Sequence, residues 1–67
     1  MTINRRFEIS PRPANLGGGW ILQLFENGVE VGGGVYPPIE NILDQKLATD
    51  EAYIDAHEEG ATWMETT

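Results

Sequence analysis

Apolar and polar positions alternate along the N-terminal half of the chain and switch to helical spacing near its end. Ile3, Phe7 and Ile9 stand between polar neighbours, the period-two spacing of a strand over residues 3–9, with Arg5 interrupting the apolar stripe. Residues 10–19, Ser-Pro-Arg-Pro-Ala-Asn-Leu-Gly-Gly-Gly, are loop chemistry, because proline removes backbone donors and glycine admits unusual dihedrals. A second apolar run, Trp20 to Glu26, is followed by Asn27-Gly28 and then by Val29-Glu30-Val31. Asn-Gly supplies the two positive-φ positions of a type I′ turn, which predicts a two-residue hairpin. Regular pairing from that turn sets Glu26 opposite Val29, Leu24 opposite Val31, Leu22 opposite Gly33 and Trp20 opposite Val35. One face then carries Trp20, Leu22, Leu24, Val29, Val31 and Val35, and Gly32 and Gly34 turn away from it, opposite Gln23 and Ile21.

The C-terminal segment supplies a cover for that face. Thr49 is a suitable helix N-cap, and Asp50 and Glu51 in the first turn suit the positive end of the helix dipole, so the spacing predicts a helix from there to about Met64. Ala52, Tyr53, Ala56, Gly60, Trp63 and Met64 fall within an arc of roughly 120°. The small residues in its middle permit close approach to a sheet, with Tyr53 and Trp63 filling the ends. Between hairpin and helix, Ile39, Ile42, Leu43 and Leu47 show helical spacing that predicts a short helix or ordered loop over a sheet end. The expected fold class is α+β: a three-stranded antiparallel sheet with a C-terminal helix packed on one face, β-β-β-(α)-α, as a single domain over residues 1–67.

Composition narrows the function classes. There is no cysteine and one histidine, His57, so no disulfide staples the fold and a structural zinc site has no ligand set. No run approaches the roughly 20 apolar residues that cross a bilayer, and the N-terminal arginines are not followed by the apolar stretch of a secretory signal. A soluble, cytoplasmic protein is expected. The formal net charge is −7, unevenly placed: residues 1–19 hold Arg5, Arg6 and Arg12 against Glu8, whereas the remainder holds Lys46 against ten acids. Such a chain repels nucleic acid and anionic membrane and attracts basic surfaces.

Catalytic motifs are incomplete. Ser10 precedes a proline and has no triad around it in sequence, and the run His57-Glu58-Glu59-Gly60-Ala61 lacks the second histidine of a metalloprotease helix. Neither Gly17-Gly18-Gly19 nor Gly32-Gly33-Gly34 leads into a helix or a Gly-Lys-Ser/Thr sequence, so neither is a phosphate loop; the second reads as a bend, a bulge or a close backbone approach. The chain therefore reads as a non-enzyme without a cofactor or metal.

Two surfaces are candidates for partner binding. Glu51, Asp55, Glu58 and Glu59, with Asp50 before them and Glu65 after, form a helix stripe in which no lysine or arginine is interspersed. Solvated helix faces ordinarily mix signs, because like charges at i, i+4 cost a few tenths of a kcal/mol. Acids repeating every three or four residues rise about 4.5–6 Å along the axis, comparable with phosphate spacing, and can be gripped by side chains that otherwise hold phosphates. The second candidate is a flat glycine patch, Gly32 and Gly34, beside Ile21, Phe25 and Tyr36, which could receive a partner or another copy of the chain as a weak homodimer.

In length, acidity, Trp20-containing hairpin and unbroken acidic helix from Asp50 to Glu65, the chain resembles the small phage-encoded anti-CRISPR inhibitors of type I systems. The resemblance implies a DNA mimic that occupies the basic groove where a CRISPR effector subunit recognises target DNA and its PAM, with Glu51, Asp55, Glu58 and Glu59 standing in for phosphates in the cytoplasm of a bacterial host. Val35-Tyr36-Pro37 and Asp50-Glu51-Ala52 also resemble the outline of HicB-type antitoxins, which implies a small ribonuclease toxin as partner; Pro38-Ile39-Glu40 departs from the turn expected there, and no DNA-binding segment follows. A self-associating phage structural protein is a third alternative. Double-stranded-RNA-binding domains share the element order but need basic residues where this helix is acidic.

Overall fold

The computed structural model describes residues 3–66. Strands β1 (Arg5–Pro11), β2 (Trp20–Glu26) and β3 (Val29–Tyr36) form an antiparallel sheet in the order β1-β2-β3, and helix α1 (Gln45–Glu65) packs across one face. The architecture is the α+β arrangement expected from the sequence; a 3-10 turn (Ala14–Leu16) lies between β1 and β2, and no separate helix stands between β3 and α1. The turn between β2 and β3 is Asn27-Gly28, with φ of 53° and 82°, both positive as a type I′ turn requires.

Strand β1 begins and ends two residues later than the alternation suggests, pairing Phe7 with Leu24, Ile9 with Leu22 and Pro11 with Trp20. Two bonds fix the phase of this ladder: Asn27 N–H donates to the Asn4 carbonyl at 2.7 Å, and Arg12 N–H donates to the Gly19 carbonyl at 2.9 Å. Alternation between them turns the backbone groups of Arg5, Phe7, Ile9 and Pro11 outward from β2. Pro11 is thus at an edge position where the missing N–H costs no ladder bond.

The β2–β3 register departs from regular pairing. A bulge at Leu24/Phe25 pairs Phe25 with Glu30 and Leu24 with Gly32, leaving Val31 as the extra residue, so Leu22 faces Gly34 and Trp20 faces Tyr36. Because side chains alternate with period two, this one-residue slip exchanges the faces beyond the bulge. Gly32, Gly34 and Tyr36 lie on the helix side, and Val35 joins Ile21 on the open side, the reverse of the expected placement. A Cβ at position 34 would make an ordinary van der Waals contact with the Tyr36 ring, 3.7 Å from its Cε1.

Helix α1 starts five residues earlier than expected, with its N-cap at Asp44 rather than Thr49. Asp44 caps it by accepting from Leu47 N–H at 3.1 Å, whereas the Thr49 hydroxyl donates back to the Gln45 carbonyl at 2.9 Å. Residues 37–44 are loop, since Pro37 and Pro38 lack donors and the first tie to the helix is Ile39 N–H on the Ala48 carbonyl at 3.3 Å. Leu43, expected to pack over the sheet end, is fully exposed.

The helix presents a seam of small residues, Ala48, Ala52, Ala56 and Gly60, all buried, against Leu22, the only large side chain fully buried among the described residues. Steps of four on a 3.6-residue helix make one shallow ridge, so α1 approaches closely and the sheet supplies the bulk. Tyr53 and Met64, expected in the core, are instead 40% and 41% exposed, pushed to the sides by that closeness. Trp20 Nε1 donates to the Thr49 carbonyl at 2.9 Å, and its ring meets Tyr53 edge-on at 5.0 Å. Arg5, the interruption in the apolar stripe of β1, ties the other end. It pairs with Glu26 at 3.2 Å, stacks on Trp63 at 5.3 Å and donates to the Trp63 and Thr66 carbonyls, where the negative end of the helix dipole favours a cation.

Candidate binding surface

The seam divides the rest of α1 into flanks. Each small residue from Ala52 to Gly60 is preceded by an acid, Glu51, Asp55 and Glu59, and Ala52 and Ala56 are followed by rings, Tyr53 and His57. The ring flank turns toward β1 and β2: His57 meets Phe7 edge-on at 5.5 Å and stacks on Tyr53 at 6.3 Å. His57 is thereby a packing residue at the margin of the core. The acidic flank turns toward β3, where burial first, and then the charges of Glu59 and Asp55, push the Tyr36 phenol above its ordinary pKa of 10.0. Both carboxylates therefore act on the Tyr36 hydroxyl.

Asp50, Asp55, Glu58, Glu59 and Glu65 are exposed and Glu51 is half-buried. Over the span from Glu51 to Glu59 the axial rise is about 12 Å, which sets the acids of the flank about 6 Å apart. Glu58 and Asp50 lie on the outer surface of the helix, so the five acids from Asp50 to Glu59 wrap one flank and the back of α1 rather than a single line, while Glu65 continues the row of Tyr53 and His57. Lys46 is the one base in α1, and it pairs with Asp50 at 2.8 Å, a bond that raises the lysine's pKa. Elsewhere Arg6 pairs with Glu8 and lies 4.1 Å from the Phe25 ring centroid, while Arg12 donates to the Gly18 carbonyl at 3.4 Å. Among the described residues, no ion pair involves Glu51, Asp55, Glu58, Glu59 or Glu65.

The second candidate surface is divided by the bulge. Ile21 and Phe25 lie on the open face with Val35 and Gly33, next to Arg6, Glu8, Ser10 and Gln23. Gly32, Gly34 and Tyr36 lie on the helix side of the sheet, the two glycines exposed and Tyr36 half-buried. The structure therefore does not gather these five residues into one patch, and the open face is mixed in charge, with Arg6 covering part of its largest ring.

One feature escaped the sequence pattern. β3 is exposed along its length from Val29 to Val35, and among the described residues no strand pairs with its outer edge. The signal available was the lack of proline, lysine and arginine in Val29–Tyr36, the residues that commonly blunt an edge.

No group of three or more His, Asp or Glu side chains among the described residues is placed to hold a metal ion. No described helix is long and apolar enough to cross a membrane. No protein-family model, curated protein or solved structure matches this chain.

Proposed function

We propose that the protein is a non-enzymatic interaction module whose acidic helix binds a basic protein surface of the kind that grips nucleic acid. The observation that carries it is that, among the described residues, no ion pair involves Glu51, Asp55, Glu58 or Glu59, while the four Lys and Arg side chains are engaged elsewhere. Self-repulsion of that kind is relieved by an external cationic surface. The fold contributes a rigid helix with its acids outward, so little conformational freedom is lost on docking. Inhibition of a type I CRISPR complex by DNA mimicry in a bacterial cytoplasm is the narrower form of this proposal, resting on the resemblance above.

Affinity capture from bacterial lysate at low and high salt, followed by competition with duplex DNA, tests it. A captured nucleic-acid-binding protein, released by both salt and DNA, is the expected result. A CRISPR effector so captured supports the DNA-mimic form, and a small ribonuclease supports the antitoxin form. The triple variant Glu51→Lys, Asp55→Lys, Glu58→Lys should lose the partner and keep its circular dichroism spectrum; retained binding would sink the proposal.

A further inference from the structure

We propose that the free edge of β3 receives an extended segment of a partner chain that alternates basic and apolar residues and adds a fourth strand to the sheet. The charge of the occupant rests on the acidic-surface reading above; the docking edge does not.

The phase of the ladder identifies the groups that are free. With Arg6, Glu8 and Ser10 bonded to β2, the backbone groups of Phe25, Gln23 and Ile21 point toward β1, and those of Leu24, Leu22 and Trp20 point toward β3. Their partners Gly32, Gly34 and Tyr36 are thereby engaged, and Gly33 and Val35 direct N–H and C=O away from the sheet. An edge strand with such groups unpaired is a template for another strand. The two edges of this sheet differ. β1 carries Pro11, Arg5, Arg6 and Glu8, whereas β3 has one charged residue, Glu30, and three consecutive glycines that place no side chain in the way.

The surroundings of that edge select the occupant. On the helix side, the neighbours of an added strand are the Tyr36 ring and the carboxylates of Asp55 and Glu59 that act on it, an environment for lysine or arginine. On the open side the neighbour is Val35, more than half exposed, backed by Ile21 across the ladder, an environment for an aliphatic side chain. Alternation along the strand delivers one residue type to each side. A second copy of this chain, paired through the same edge, would bring Gly32, Gly34 and Tyr36 to the helix side, supply no cation to Asp55 or Glu59, and add a further charge of −7.

The test uses a soluble peptide of about ten residues alternating Lys and Val, with a Glu/Val alternation as control, and reads amide exchange by NMR on the intact protein. The Lys/Val peptide should slow exchange at Gly33 and Val35 about tenfold or more and lower the Tyr36 pKa, because a bound cation offsets the carboxylates. The Glu/Val peptide should do neither. Val35→Pro removes one outward donor and leaves the bonds of Gly34 and Tyr36 to β2, so it should weaken the peptide about tenfold. The paired variant Asp55→Asn, Glu59→Gln, altering exposed side chains only, should weaken it as well, which keeps the test open if Val35→Pro fails to fold. Binding without protection at Gly33 and Val35, or unchanged binding by folded Val35→Pro, overturns the proposal. So does a dimer in which these amides are already protected, since the occupant would then be a second copy. Failure here with a basic partner still captured through the acids leaves the acidic-surface reading standing. Edge protection by the peptide without any captured partner does the reverse.

Discussion

The ring of Phe7 fills the space that a side chain at position 60 would need: a Cβ on Gly60 would stand 2.6 Å from Phe7 Cδ2 and 2.7 Å from Cγ. Helix propensity alone favours alanine over glycine by about 1 kcal/mol, whereas forcing a methyl group into a packed contact costs roughly 1–3 kcal/mol. The ring root is held by β1 and cannot swing away as a flexible chain end would. Gly60→Ala should therefore destabilise the protein by about 1 kcal/mol in urea denaturation followed by tryptophan fluorescence. In a Phe7→Leu background the same change should cost less, and equal costs in the two backgrounds would show that the contact does not set the position.

Two glycines of the hairpin should respond differently to alanine. Gly33 has φ of 147°, and a Cβ there would fall 2.0 Å from the Leu22 carbonyl oxygen, so the ladder itself must break to admit it. The expected loss for Gly33→Ala is about 3 kcal/mol or more, enough to unfold a small domain of ordinary stability. Gly28 also has positive φ but meets nothing within 4 Å, so Gly28→Ala carries only the left-handed backbone cost of about 1–2 kcal/mol. Comparable midpoints for the two variants would contradict the β3 register.

Tyr36 makes stability depend on pH at the alkaline end. Its folded pKa is raised above 10.0 by burial and by Glu59 and Asp55. The unfolded phenol releases its proton near the ordinary value while the folded one still holds it, so the unfolded state binds fewer protons over that interval. This contribution is fully present below pH 10 and is lost as pH rises through the folded pKa. Urea midpoints measured from pH 8 to pH 11 should fall less steeply for Tyr36→Phe than for the parent. Absorbance titration should show the Tyr36 pKa moving back toward 10.0 in the Asp55→Asn, Glu59→Gln variant; an unmoved value would place those carboxylates away from the phenol.

The β2–β3 hairpin was legible because its signal is local. Asn27-Gly28 specifies the turn by backbone conformation, and the runs on either side need only their own alternation to become strands. The helix was legible in type but not in its start, since Asp44 lies behind a loop whose apolar residues Ile39, Ile42 and Leu43 imitate helical spacing. The acidic surface was legible as a set of residues. Its shape was not, because a wheel drawn from the sequence treats all directions around a helix alike until the contacting seam is known.

The sequence by itself determined the turn at Asn27-Gly28, the presence of three strands and one helix, and an excess of acids with no bases after Lys46, because these depend on local conformation and on composition. Tertiary structure decided which faces they form. The bulge opposite Phe25 moved Gly32, Gly34 and Tyr36 to the helix side of the sheet and Val35 to the open side, through non-local pairing that a regular alternation does not encode. The seam of Ala48, Ala52, Ala56 and Gly60 became the core only because Phe7, Trp20 and Leu22 supply the bulk from the sheet, which set the acids of α1 beside an unpaired strand edge.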